Sequence, residues 1–500
     1  MNIEMKKYII IYLLGLTFTF CTSTLELEPV SQISSASYWK TESDVNGMLA
    51  AMYSQLREET TQNIYIWGEL RSDALGTSVG SPIWQNWYLN VLDQHNSGAS
   101  FFGTPITWAG LYSIIHSCNL ILKYTPNIDF ALEEKKDFAI AEAYAMRAYV
   151  YFVMARTWGG VPLMTEPVSG KLEDIQKPRA SVNTVFELIK SDIDQASALF
   201  HTHQFVKGRT MWSLPSLNAL KAEVYLWTAK KLNGGETDFT VALNACNEVQ
   251  KADVSLLNEF AEVFEYGNKE NNEIIFAISR SWEETPNTPC IYKWMAPAEI
   301  FLPNDLDENV RSRIEPYSGT PFMGPSDIAR NKFNIDDKRK NVTLLELFTY
   351  SPDGEKTFHS SYLEKFTGTV VSGVRDYTDD YIIYRYADVL LMKAEAKNAL
   401  DQDPSHEINE IRKRAYGEKY QDYTFVAGSK VQNDEEILNE RFLELMFEGK
   451  RWWDLVRFDK AFDLVPSLQD KKGQDNLLLF PIPIATMSLN DNLEQNPGFE

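Results

Sequence analysis

Apolar residues recur at three- and four-residue spacing through much of the chain, the period of amphipathic helices. The stripe Leu111, Ile114, Ile115, Cys118, Leu122 predicts a helix that opens at Trp108-x2-Leu111. Three segments repeat one pattern: Ala148-x3-Phe152-x2-Ala155, Ala222-x3-Leu226-x2-Ala229 and Ala387-x3-Leu391-x2-Ala394. Positions 0, 4 and 7 share a helix face, so two small residues let a partner helix approach while the large one fills the gap. This is the second-helix signature of a tetratricopeptide-like repeat. The first two copies lie 74 residues apart and the third 165 further on, so the array is interrupted. A late stripe, Leu438, Phe442, Leu445, Trp452, Leu455, predicts one amphipathic helix over 434–459, capped at Asn433 or Asp434.

The helical period lapses in two places. Between about Glu265 and Tyr377 the chain carries Pro286, Pro289, Pro297, Pro303, Pro316, Pro321, Pro325 and Pro352, predicting long loops with short strands such as 273–278. A second stretch, Asp73 to Pro105, holds Trp84, Trp87 and Tyr88. Loops on a rigid scaffold are where binding groups usually sit. The expected organisation is repeat helices within about 40–255 and 378–415, with loop-rich parts at about 256–377 and 416–500.

The N-terminus reads as an export signal. Lys6 and Lys7 precede thirteen uncharged residues, Tyr8 to Phe20, too few to span a membrane. The run stops at Cys21, resembling a bacterial lipobox whose cysteine is acylated, with residues 1–20 removed; Phe20 departs from the small residue usual there. Lipidation of Cys21 leaves Cys118, Cys246 and Cys290, an odd remainder that implies no disulfide framework.

Charge narrows the partners. Lys plus Arg total 48 and Asp plus Glu 70, a net charge of -22, which repels phosphate backbones and anionic lipid and argues against nucleic acid. With 27 Phe, 24 Tyr and 12 Trp, neutral ligands with flat apolar faces, sugars above all, stay in view. Signals for catalysis fail individually. Gly76-Thr77-Ser78-Val79-Gly80 fits a nucleophile elbow but lacks the preceding buried strand and following helix. His201 and His203 could share a strand face, yet no ligand cluster accompanies them. Asp305, Asp307 and Asn309 begin like a calcium loop, but Val310 and Pro316 occupy the positions needing Gly and Glu. No phosphate-loop or dinucleotide fingerprint occurs, so neither metal nor cofactor is expected.

Four ordered motifs resemble the SusD/RagB family, lipid-anchored surface nutrient-binding proteins of Bacteroidetes. They are Arg147-Ala148-Tyr149 with Trp158-Gly159-Gly160-Val161-Pro162-Leu163; Arg385-Tyr386-Ala387-Asp388 with Ala394-Glu395-Ala396, Asn409, Arg412, Arg414 and Ala415; Glu440-Arg441, Glu444-Leu445, Glu448-Gly449, Arg451, Asp454-Leu455 and Arg457; and Pro481-Ile482-Pro483 with Asn496-Pro497-Gly498-Phe499. Glu440, Glu444 and Glu448 on one helical line would repel one another, so Arg385, Arg412 or Arg414 is expected to face them. The resemblance implies a mostly helical protein with an interrupted tetratricopeptide-like scaffold and a loop-rich ligand face. It implies no enzymatic activity and a place at the outer-membrane surface, capping a SusC-like TonB-dependent transporter and handing it oligosaccharide or polysaccharide.

A pyranose packs its C–H face on Trp or Tyr and its hydroxyls on planar amides and carboxylates. The candidate platform is Trp84, Trp87 and Tyr88, with Gln85 or Asn86 bonding hydroxyls, joined by Trp282, Tyr292 or Trp294 from the second loop. Pro82 argues against a helix here, and an exposed shallow platform is expected. The alternative keeps the fold and makes the ligand a peptide, as in the RagB branch.

Overall fold

Helix starts are written into the chain as side-chain caps. Thr41 and Asp44 form a capping box at α1 (Glu42–Thr61), Ser181 caps α4 (Val182–Leu199), and Ser213 with Ser216 boxes α5 (Leu214–Lys231), each satisfying otherwise orphaned N–H groups. Between them lie α2 (Ala109–Tyr124) and α3 (Glu133–Trp158); then follow α6 (Gly235–Val249), α7 (Tyr386–Ala399), α8 (Ser405–Tyr416), α9 (Lys430–Leu445) and α10 (Arg451–Arg457). The computed structural model describes residues 38–77, 85–92, 107–284 and 291–499. Cys21, Trp84 and Cys290 lie outside the described residues.

The three alanine patterns fall on α3, α5 and α7, each packed against the helix expected to precede it in a repeat: α2, α4 and α6. Ala148, Phe152, Ala222, Leu226, Ala387, Leu391 and Ala394 have no solvent exposure, as close helix approach requires. Residues 250–385 are inserted between α6 and its partner α7, which is why the third copy lies so far along the chain. That insertion holds the strands: β2 (Ile274–Ile278), β3 (Met323–Pro325), β4 (Leu344–Tyr350), β5 (Lys356–Leu363), β6 (Thr369–Val371), β7 (Val374–Asp376) and β8 (Tyr381–Arg385), while β1 (Leu75–Thr77) comes from the first loop. They pair antiparallel as β1–β3, β2–β8, β4–β5 and β6–β7.

The late amphipathic stripe is two helices and not one. α9 begins four residues earlier than expected, because Ser429 and Gln432 form the capping box. It ends at Leu445, and the chain turns through Phe447 (φ 66°) and Gly449 (φ 76°) before α10. The buried Glu69 carboxylate accepts the N–H groups of Phe447 (3.0 Å), Lys450 (2.9 Å) and Arg451 (3.2 Å), so a residue from the other end of the chain fixes this turn. Gly68 is required there, since a Cβ on it would collide with the Gly449 carbonyl.

The acidic line finds its cations inside the protein. Arg385, leaving β8, reaches Glu444 (2.7 Å), Glu448 (2.8 Å) and Glu273 (2.8 Å). Arg412 reaches Glu440 at 2.8 Å, and Arg414 reaches Glu444 and Glu273 at 2.5 Å. All three expected arginines therefore participate, although Glu448 lies beyond the end of α9. Two further cations join from the insertion: Arg339, on Glu440 (2.8 Å) and Glu444 (2.9 Å), and Lys365, on Glu448 (2.8 Å). Burial alone would push the Glu444 carboxyl up, but Arg414, Arg385 and Arg339 outweigh it and hold it far below the usual carboxylate range.

A second buried network links α5, α7, α9 and α10. Arg441 bridges Asp388 and Asp454 at 2.8 Å each, and Arg457 bridges Asp454 (2.9 Å) and Glu395 (3.0 Å). Earlier, Arg147 pairs with Asp192 (2.7 Å) between α3 and α4, and Arg156 with Glu223 (2.6 Å) between α3 and α5. The C-terminus is stapled to the end of α3, where the Asn496 amide donates to the carbonyls of Trp158 (3.1 Å) and Phe480 (2.8 Å).

Replacing Glu444 by Gln removes the carboxylate shared by three buried guanidiniums, Arg339, Arg385 and Arg414, and should cost about 3 to 5 kcal/mol of unfolding free energy, the scale for breaking a buried ion pair, measured by denaturant unfolding. Acid should act through the same chemistry. Burial pushes the Glu395 carboxyl up, yet Arg457 and Lys230 hold it down to about 2, against 4.5 unfolded. The unfolded chain thus binds protons first, so this contribution is complete above about pH 4.5 and is lost as pH falls toward about 2. A thermal midpoint flat from pH 4.5 down to pH 2 would contradict this.

Candidate functional site

The short β1–β3 ladder joins the first loop to the insertion. Leu75 pairs with Pro325 and Thr77 with Met323, the Ser326 N–H donates to the Ala74 carbonyl (2.9 Å), and the Ser326 hydroxyl donates to the Asp73 carbonyl (2.6 Å). The Asp73 side chain is occupied elsewhere, accepting both Arg451 Nε and Nη2 at 2.8 Å. Residues 85–88 form one helical turn, despite the nearby proline, and Asn90 follows with φ 54°. The Asn90 amide fastens this segment: Oδ1 accepts from Arg71 Nε (2.8 Å) and Nδ2 donates to Ser467 Oγ (3.0 Å), which donates to the Tyr88 carbonyl (3.2 Å).

Between these elements lies a cavity of about 360 Å³, lined by Asp73, Gly76, Tyr88, Ser326, Asp327 and Ser467. Its volume is inside the range of about 300 to 1,000 Å³ of ligand sites. Tyr88 is half-buried, its ring packed partly on the core and partly facing the cleft. Among the described residues no hydrogen bond engages its hydroxyl. Asp327, also in the lining, stands exposed with Arg330 at 2.5 Å, and that guanidinium lies 3.5 Å over the Phe358 ring. Gln85 and Asn86 are exposed beside Tyr88. The arrangement presents one ring face, hydroxyls and a carboxylate, groups that bind a polyhydroxylated ligand without reacting with it.

The other expected platform rings are placed differently. Trp87, Tyr292 and Trp294 are each only 2% exposed, which corrects the expectation of a shallow exposed platform at those positions. Trp87 turns from the short helix into the main core. Tyr292 stacks on Phe366 (4.2 Å, 19°) with its edge toward Tyr65, and Trp294 leans on Phe322 (6.1 Å). Their faces are consumed by neighbouring rings, the usual fate of large apolar groups. Trp282 is half-buried in a turn after β2. Ser326, Asp327 and Ser467 were not expected in the cleft, because β3 and the segment after α10 reach it from remote parts of the chain.

The discounted motifs have structural roles. Gly76 and Thr77 lie in the two-stranded β1–β3 ladder, with residues 78–80 outside the described residues. His201 and His203 are not on a strand; they pair separately with Asp137 (2.9 Å) and Glu248 (3.1 Å), and no metal-binding cluster occurs among the described residues. Asp307 caps the helix Glu308–Ile314 by accepting the N–H groups of Asn309 and Val310. Cys118 and Cys246 are buried free thiols whose pKa values burial pushes up.

Comparison with known proteins places this geometry in context. The family model described as "SusD family" matches residues 332–499, and the one described as "Starch-binding associating with outer membrane" matches residues 25–226. The chain is 30% identical to SusD-like protein P38 of Formosa agariphila, over 95% of each chain. It is 22% identical to starch-binding protein SusD of Bacteroides thetaiotaomicron, over 74% of this chain and 76% of that one. Among solved structures, B. fragilis NanU superposes with a TM-score of 0.82 at 29% identity, covering 95% of this chain and 100% of that one. A laminarin-binding SusD-like protein superposes at 0.75 with 22% identity over 92% and 100%, a likeness of fold.

Because Trp87 is core, Trp87→Ala should lower stability by about 3 to 5 kcal/mol, the range for emptying a buried aromatic site, as read by chemical denaturation. A change below about 1 kcal/mol would show that the ring does not carry packing.

Proposed function

The chain belongs to the SusD/RagB family, and from that premise we propose that it is a cell-surface glycan-binding lipoprotein that captures oligosaccharides and delivers them to a SusC-like TonB-dependent transporter. The observation that carries the binding half is the Tyr88 cleft, where a half-buried tyrosine with an unengaged hydroxyl and the exposed Asp327 line one cavity sized for a small saccharide. A sugar would set its C–H face on the Tyr88 ring and its hydroxyls on Asp327, Ser326 and the Gln85 or Asn86 amide, replacing water by planar, directed partners. Trp282, half-buried, remains a candidate ring from the second loop, and Trp84 a candidate from the first. The reading assigns no catalytic residue; binding and release suffice for a carrier. Carbohydrate binding fits the family descriptions and the starch and laminarin named for two relatives.

The membrane half rests on sequence. No helix among the described residues is long and apolar enough to cross a membrane. Attachment is proposed through acyl chains on Cys21, of which more than one is needed for stable anchoring.

Tyr88→Ala should weaken binding of the best glycan from a maltohexaose and laminarihexaose series by about 1 to 2 kcal/mol, a hot-spot loss, with the fold retained by circular dichroism because the ring is only partly packed on the core. Full affinity in calorimetry would remove Tyr88 from the site. Cys21→Ala should shift the protein from the membrane fraction to the soluble one; retention, or an unmodified mature N-terminus by mass spectrometry, would refute the anchor.

A further inference from the structure

A second cavity, of about 340 Å³, opens on the other side of the insertion, between the segment after β5, the Phe260–Val263 turn and Pro297. Phe264, Pro297, Ile314 and Leu363 give it apolar walls. Phe264 is held from behind, since its ring meets Phe366 (5.4 Å), which stacks on Tyr292 (4.2 Å). The ring expected to touch ligand therefore stiffens the wall of a different cavity.

Beside these walls the lining is polar, with Glu265, Arg313, Asn341, Glu364, Arg375 and Tyr377, and part of it is incompletely engaged. The Glu364 side chain is 13% exposed, and among the described residues its one ion pair is a loose 3.4 Å contact from Arg313 Nε, whose own side chain is 53% exposed. Burial pushes the Glu364 carboxyl up, and Arg313 and Arg375 offset this only in part. Arg375 spends Nη1 on the Thr367 carbonyl (3.0 Å) and Nη2 on the carbonyls of Glu315 (2.9 Å) and Arg313 (3.1 Å). Its buried Nε has no hydrogen-bond partner among the described residues. Lys365 also borders the cavity, but its ammonium is committed to Glu448 (2.8 Å) and to the carbonyls of Glu444 and Met446.

Charge then selects the ligand class. Lys365 is committed to Glu448 outside the cavity, which leaves two lining guanidiniums, Arg313 and Arg375, against two lining carboxylates, Glu265 and Glu364. An anion would meet like charge at Glu364 and a cation would meet like charge at Arg313. A neutral polyol satisfies both, because its hydroxyls donate to a carboxylate and accept from a guanidinium. We propose that this cavity is a second saccharide subsite, holding one neutral pyranose unit of an oligosaccharide with its C–H face on the Phe264, Pro297 and Leu363 wall and neighbouring hydroxyls on Glu364 and Arg313. The inference rests on the carbohydrate reading of the protein but not on the Tyr88 cleft.

The test is hydrogen-exchange mass spectrometry and calorimetry of the mature protein with maltohexaose, laminarihexaose, cellohexaose and mannohexaose. At least one should slow exchange in 261–265 and 363–377. Glu364→Gln should remove that protection and weaken the same glycan about tenfold, the loss expected when a charged hydrogen-bond partner goes, while protection of 85–92 persists. Arg313→Met, on a side chain 53% exposed, should do likewise with the fold retained by circular dichroism. A glycan that protects only 85–92 and 325–328, with both variants binding at full affinity, overturns the subsite and leaves the proposed function standing. Failure of every glycan to bind the unaltered protein overturns both.

Discussion

Glu440, Glu444 and Glu448 are carboxylates with almost no access to water, and the rest of the structure is arranged around neutralising them. A buried, unpaired charge costs several kcal/mol, so a chain that buries three must bring cations to them from wherever it can. Here the cations come from β8, α8 and two remote points of the insertion, with Glu273 as a further acceptor. Meeting that requirement pins the returning strand, the last repeat helices and the insertion to one another. A buried network of this kind is weak as a source of net stability, because the desolvation of its members offsets the attraction. Its larger effect is on register, since few other arrangements would pair every charge.

The ligand-facing elements inherit their positions from this scaffold. Arg451, at the start of α10, holds Asp73 in the lining of the Tyr88 cleft, and Glu69, four residues before Asp73, fixes the bend that leads into α10. Asn90 and Ser467 then close the segment carrying Tyr88 onto the C-terminal part. The cleft is thus assembled from the first loop, the insertion and the chain after α10, each fastened to a charged or amide side chain. Such fixing lowers the ordering cost of ligand capture, which favours a site that must bind and later release.

Much of the scaffold is legible in sequence because its determinants are local. Alanines at 0 and 7 around a large residue need only one helix face to be recognised, and the spacing of Glu440, Glu444 and Glu448 announces that cations must follow. Arg339 and Lys365 were not legible: nothing in the loop-rich insertion indicates that those side chains travel inward. The break between α9 and α10 was hidden for the same reason, since its cause is Glu69, far away in sequence, while the hydrophobic stripe continues unbroken through Trp452 and Leu455. Aromatic content misled at Trp87, Tyr292 and Trp294. Composition marks rings as available for stacking but not whether their partners are sugars or other rings, and Phe366 and Phe322 claim two of them. Tyr88 differs because its neighbour Trp87 takes the inward direction, turning the next side chain of the short helix toward the cleft.

Because the network pins the returning strand, the last repeat helices and the insertion to one another, it can open only when all of them separate, which native-state hydrogen exchange resolved by residue tests most directly. The account predicts that amides of 381–391 and 440–448 exchange only through global unfolding, with the highest protection in the chain, while 85–92, 325–328 and 465–467 around the cleft open at lower free energy. Exchange of 440–448 at the rate of the cleft segments would contradict it, and would place the organising constraint in the apolar packing of the repeat helices instead.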